Sequence, residues 1–152
     1  MTVKRQRLLV VAVAYGKIAS VFLIGGALKD WHCSRAASLS PTKGRSFMRL
    51  SAARFEPDLV VTEDPYGPTR KAGRSKSVLY ALAQELVDSA TPHLLIQRDQ
   101  GFANKYVEAQ ALAKRFPTIA PWLPKTPKIW DSEPVNTIYF EALSMAVKVL
   151  DE

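Results

Sequence analysis

Residues 8–39 read LLVVAVAYGKIASVFLIGGALKDWHCSRAASL, and where this stretch breaks decides the fold. Leu8 to Ala14 is a short run rich in β-branched residues, the mark of a strand buried on both faces. Tyr15-Gly16-Lys17 interrupts it. The apolar run that resumes from Ile18 to Ala27 predicts a second strand, and Trp31 to Leu39 a third. Within this region Gly25-Gly26 reads as a bulge and Lys29-Asp30 as the turn. Three successive strands with such short links make an antiparallel meander.

Downstream the period changes. Pro41 to Phe55 reads as a helix with Phe47, Leu50 and Phe55 on its apolar side, and Arg45, Arg49 and Arg54 toward the other. Glu56-Pro57-Asp58 breaks it. Leu59 to Glu63 is a buried strand ending in an acid. Asp64 to Lys76 is a loop with two prolines, two glycines and four basic residues. Ser75 is the expected N-cap of a helix running to Ser89, with Val78, Leu79, Leu82, Leu86 and Val87 as its stripe. His93 to Gln97 is a strand and Asn104 to Phe116 a helix. Pro117 to Trp130 carries four prolines and reads as an extended connector. Ser132-Glu133-Pro134 opens a last helix, whose buried face is Val135, Ile138, Tyr139, Ala142, Leu143, Ala146 and Leu150. The predicted order is three antiparallel strands, then alternating helices and parallel strands, giving one α/β domain over residues 1–152 with a mixed sheet flanked by helices.

Composition fits this reading. The chain has 152 residues, 47% of them hydrophobic and 23% charged, as in an ordinary globular domain. Cys33 is the single cysteine, which excludes an internal disulfide framework and a cysteine-rich zinc site. The basic start and the apolar run from Leu8 resemble a secretory leader, but the run breaks at Tyr15 without a small-residue cleavage site. Neither apolar run is long enough for a spanning helix, so a cytoplasmic protein without membrane attachment is expected. Net charge is +7. Residues 1–76 hold 14 Lys and Arg against 5 Asp and Glu, whereas residues 77–152 hold 7 against 9. A basic half points to a polyanionic partner, nucleic acid before a membrane surface.

Three segments carry a family resemblance. Val10-Val-Ala-Val-Ala-Tyr-Gly16 is similar to the opening strand of the RuvC-type Holliday junction resolvases, which ends in Asp-Pro-Gly. Phe55-Glu-Pro-Asp-Leu-Val-Val-Thr-Glu63 resembles their central strand, closed by an acid before a loop and a long helix. Tyr139-Phe-Glu-Ala-Leu-Ser-Met-Ala146 is similar to their last helix, with its Asp-Ala-Leu motif. The resemblance spans nearly the whole chain and implies an RNase H-like fold. It also implies an endonuclease of branched DNA that works as a homodimer with two Mg²⁺ (or Mn²⁺) ions. Hydrolysis by paired metals needs hard oxygen ligands around ions about 3.5–4 Å apart, which explains why carboxylates gather at the strand ends.

By that resemblance Glu63 and Glu141 are the catalytic and metal-binding acids, each with a plainer alternative. Glu63 also fits an exposed strand-end carboxylate, and Glu141 lies at the rim of its helix's apolar face. Glu133 is a further candidate ligand, or a charge favourable to a helix start. Asp64 fits a turn residue before Pro65. The departure is Ala14, which stands where the resemblance requires an Asp, and a methyl group binds no metal. The Ala fits a relative that holds DNA without cutting it, or a substitution made to trap an inactive form; either way impaired hydrolysis is expected. Arg70, Lys71, Arg74 and Lys76 follow Glu63 directly and are candidate phosphate contacts, with Arg45 and Arg49 on the first helix beside them. His32, His93, Phe102, Trp122 and Trp130 are expected to pack.

Overall fold

A computed structural model describes residues 6–69, 71–98, 104–125 and 136–151. It contains a five-stranded mixed sheet with helices on both faces. The strands are β1 (Arg7–Ala14), β2 (Lys17–Ile24), β3 (Ala27–Ser34), β4 (Leu59–Glu63) and β5 (His93–Ile96). The helices are α1 (Pro41–Phe55), α2 (Gly73–Asp88), α3 (Lys105–Arg115) and α4 (Thr137–Leu150). The sheet order is β3-β2-β1-β4-β5. β1–β2 and β2–β3 pair antiparallel, while β1–β4 and β4–β5 pair parallel. The meander followed by parallel strands is the architecture expected from the sequence.

β1 runs through the centre, and its two-residue period sorts its side chains between two cores. Leu8, Val10, Ala12 and Ala14 join one core with Ile138, Ala142, Leu143 and Met145 of α4 and Ala109 and Leu112 of α3. Leu9, Val11 and Val13 join the other with Phe47 and Met48 of α1 and Val78, Leu79, Leu82 and Leu86 of α2. Each large side chain fully buried this way contributes about 1.5–3 kcal/mol. The continuous apolar run in β1 is thus the signature of a strand covered on both sides.

Local chemistry explains where the sequence expectations moved. The turn between β2 and β3 is Gly25-Gly26, with φ of 58° and 82°, and the register shift falls at Phe22/Leu23. A type I′ two-residue hairpin needs positive φ at both central positions, and the glycine pair supplies it. Lys29 and Asp30 therefore lie inside β3. β3 stops at Ser34, not Leu39, because the Ser34 hydroxyl accepts from the Ala37 N–H (3.1 Å) and opens a 3₁₀ turn at Ala36–Ser38.

α1 starts as predicted behind Ser40, whose side chain accepts from the Lys43 N–H, with Pro41 in the first turn. Leu50 is 69% exposed, and its expected place in the stripe is taken by Met48 and Ser51. In α2, Val87 is likewise exposed, and the N-cap is Ala72 with no side-chain cap, so the helix begins before Ser75. Asn104 caps α3 by accepting from the Tyr106 and Val107 N–H groups at 2.9 and 3.0 Å. Pro117–Trp122 is a 3₁₀ segment with Ile119 buried, in place of the first part of the expected extended connector. The predicted opening of the last helix at Ser132-Glu133-Pro134 lies outside the described residues. His32 stacks on Phe47 and Trp31 meets Trp122 edge-on, both packing contacts. No described helix is long and apolar enough to cross a membrane.

Candidate functional site: a carboxylate crevice at the ends of β1 and β4

Strand alternation decides which side chains meet. In β4, Val61 belongs to the core shared with α4 and Val60 to the opposite one. Glu63, two residues beyond Val61, therefore points toward α4. Ala14 ends β1 on the same face, by the alternation that places Leu8, Val10 and Ala12 there. The parallel register pairs Val11 with Thr62, which sets Glu63 level with Ala12 and Ala14 two residues further along the same face. An acid at position 14 would project from this face one side-chain repeat past Glu63.

Glu63 is 4% exposed and its Oε2 accepts a hydrogen bond from the Thr69 hydroxyl. Glu141, on the second turn of α4, is 9% exposed. Its Oε1 accepts from Lys71 Nζ at 2.6 Å and lies 3.6 Å from Arg98 Nε. Arg98, just past β5, also reaches Glu108 Oε1 through Nη2 at 3.3 Å. Glu108 sits in the first turn of α3 and is 5% exposed. Burial pushes the Glu108 carboxyl up; Arg98 opposes that shift and the Glu141 charge adds to it. Glu141, Glu108, Lys71 and Arg98 therefore form one ion-pair cluster at the end of the sheet.

The β4–α2 loop closes over this group. Thr69 donates to Glu63, the Lys71 N–H donates to Thr69 Oγ1 at 3.1 Å, and the Lys71 ammonium donates to Glu141. Asp64 turns away: its Oδ1 accepts from the Tyr66 N–H at 2.8 Å, the local turn expected before Pro65. On the far side of the β1 terminus, Ala14, Gly16, Ser38, Arg74, Ser75 and Val78 line a cleft of about 160 Å³. Lys76 lies over the Tyr80 ring, 6.0 Å from its centroid.

The sequence candidates thus fall into groups. Lys71 pairs with Glu141 and is tied to Glu63 through Thr69, Ala14 lies on the face that carries Glu63, and Arg74 lines the cleft next to Ala14. Arg45 and Arg49 are engaged within the protein. Arg45 Nε and Arg49 Nη2 reach Glu85 Oε1 at 3.2 and 3.1 Å, and Arg45 Nη2 reaches Asp88 at 2.6 Å. Glu133, Arg70, Phe102 and Trp130 lie outside the described residues. Sequence reasoning missed Arg98, Glu108 and Thr69. Arg98 had a signal, because it follows the end of a parallel strand just as the Glu63 region does. Glu108 had none, since an acid in a first helical turn is usually a surface charge.

Three solved structures resemble this chain. The chain superposes on Thermus thermophilus RuvC with a TM-score of 0.62 and 12% identity, covering 95% of this chain and 96% of that one. Against T. thermophilus RuvC in complex with Holliday junction substrate the TM-score is again 0.62 at 12% identity, covering 96% of each chain. The yeast mitochondrial Holliday junction resolvase matches with a TM-score of 0.50 and 8% identity, over 99% of this chain and 85% of that one. No family model and no curated protein sequence matches the chain. The chain has the RuvC-type, RNase H-like fold, as the three segments implied.

That fold implies a divalent-metal centre, and the described residues do not fit one. Glu141 is occupied by a lysine and an arginine, Glu63 by a hydroxyl, and position 14 offers a methyl group. Among the described residues no group of three His, Cys, Asp or Glu side chains is arranged to hold a metal ion.

Proposed function

We propose that this chain binds branched DNA, such as a four-way junction, and that its hydrolytic activity is weak as written. The observation that carries the reading is the chain of contacts from Glu63 through Thr69 and Lys71 to Glu141, in a fold similar to that of solved resolvases, with Ala14 at the end of β1 on the face that carries Glu63. Arg70, Lys71, Arg74 and Lys76, on and after the loop that closes the crevice, are the proposed phosphate contacts, and Arg74 at the cleft beside Ala14 supports this assignment. Arg45 and Arg49 are secondary contacts in this reading, because Glu85 and Asp88 already match part of their charge. The solved relative bound to Holliday junction substrate supports a branched partner. A homodimer presenting two crevices to one junction, in the cytoplasm, completes the proposal.

The catalytic part has a direct test. Ala14→Asp returns a carboxylate to the face that carries Glu63, and in this reading it would join Glu63, Glu141 and Glu133 as a ligand for Mg²⁺ or Mn²⁺. Labelled four-way junction is incubated with Mg²⁺ and with the chain, with Ala14→Asp, or with Ala14→Asp combined with Glu63→Gln. The expected result is cleavage by the single variant alone. Equal cleavage by all three proteins refutes the proposed site, and no cleavage by any of them favours a second reading, a DNA-binding module without catalysis. Lys71 and Arg98 on Glu141 are the observation that favours that alternative.

A further inference from the structure

The occupants of the crevice point beyond a missing ligand. Substituting one acid by alanine would leave the other carboxylates mutually repelling and open to cations. Instead, protein cations are built in from two separate places. Lys71 comes from the β4–α2 loop and contacts Glu141 at 2.6 Å. Arg98 comes from the end of β5 and bridges Glu108 and Glu141, at 3.3 and 3.6 Å. Both cations are largely covered, with side chains 20% and 21% exposed, so solvent screens them less than surface charges. Lys71 is also held by its own backbone: its N–H donates to the same Thr69 hydroxyl that donates to Glu63. One short segment thus satisfies both acids that the fold would assign to metal.

We propose that Lys71 and Arg98 stand in place of divalent ions, so that this crevice is charge-matched by the protein itself and meets a DNA phosphate without metal. A metal ion bridges carboxylate and phosphate by carrying positive charge between them. An ammonium and a guanidinium provide the same sign of charge, and each has more donors than its carboxylate contacts use. For a divalent ion to load, Lys71 would have to leave Glu141, and no acid at position 14 rewards the exchange. The DNA half of this inference rests on the branched-DNA reading; the metal half does not.

The test separates the two. Mn²⁺ is titrated by electron paramagnetic resonance into the DNA-free full chain, into Lys71→Met, and into Lys71→Met combined with Ala14→Asp. The wild-type chain is expected to show no saturable binding up to about 1 mM Mn²⁺. The double variant, if folded by circular dichroism, is expected to bind at least about tenfold more tightly than wild type. Saturable wild-type binding in the micromolar range overturns the inference, and the wild-type titration decides even if the variants misfold. In a second arm, four-way junction affinity is compared in Mg²⁺ and in chelator. Equal affinities support the inference, and loss of binding in chelator overturns it. Absence of junction binding in both conditions sinks the DNA reading, while the Mn²⁺ titration still decides the substitution of metal by protein cations.

Discussion

Glu85 offers the sharpest energetic test, because it decides how far the α1 arginines serve the fold. The Glu85 side chain is only 6% exposed, and its Oε1 accepts from Arg49 Nη2 and Arg45 Nε at 3.1 and 3.2 Å, tying α2 to α1. Hydrogen bonds from Arg49, then Arg45, hold its carboxyl below the usual carboxylate range, while desolvation pushes the other way. Glu85→Gln keeps the shape and removes the charge. Breaking a fully buried ion pair costs about 3–5 kcal/mol. Here the arginine side chains are 32% and 62% exposed, so solvent takes over much of the lost interaction. A loss of about 1–2 kcal/mol is the discounted expectation, a fall in Tm of roughly 2–8 °C for a domain of this size.

The pH dependence has a fixed sign. A depressed carboxyl stabilises the fold above its unfolded pKa of about 4.3 and loses that contribution as pH falls through the lower folded value. Urea denaturation of wild type and variant at neutral pH and near pH 3 measures both terms. The difference is expected at neutral pH and should shrink at pH 3, below the unfolded pKa, where protonation of the unfolded chain removes part of the contribution. Equal stabilities at neutral pH, or an undiminished gap at pH 3, would refute the clamp. Junction affinity of the folded variant should stay near wild type; a large fall would instead tie this network to DNA.

Three other outcomes follow from the same structure. Arg74→Ala and Lys76→Ala are each expected to weaken junction binding and flatten the plot of log affinity against log salt by about 0.9 if each neutralises one phosphate, read by fluorescence anisotropy. Leu143→Ala removes a fully buried α4 side chain from the core above β1 and should cost about 2–5 kcal/mol by chemical denaturation. Gly26→Ala meets no atom within 4 Å, so its cost of about 1–2 kcal/mol comes from backbone strain at φ 82° and should be smaller for Gly26→Asn.

The parts of the fold carried by local pattern were legible in the sequence. The β-branched run at Leu8–Ala14 could only be a covered strand, and the stripes of α2 and α4 named most of the side chains that pack on it. Errors came where two local chemistries competed. Gly25-Gly26 can make a bulge or a hairpin turn, and only pairing with the neighbouring strand selects the turn. Leu50 and Val87 are apolar residues beside a stripe, and the geometry of the helix, not their hydrophobicity, leaves them outside.

The site was half legible for a related reason. Glu63, Ala14 and Glu141 end or face elements whose type the sequence declares. Their neighbours do not share that advantage. Lys71 reaches Glu141 across 70 positions of chain, and Arg98 reaches Glu141 and Glu108 from a third element. Lys71 reads in sequence as one more charge in a basic loop. Its ion pair exists only because β4, β5 and α4 bring their ends together.

Recognition of branched DNA is open to one decisive binding measurement. Fluorescently labelled four-way junction and linear duplex of matched sequence are titrated with the chain across a salt series, without Mg²⁺. Tighter binding to the junction is expected at every salt concentration, with affinity for both falling steeply as salt rises. Equal affinity for junction and duplex, or no binding to either, would contradict it.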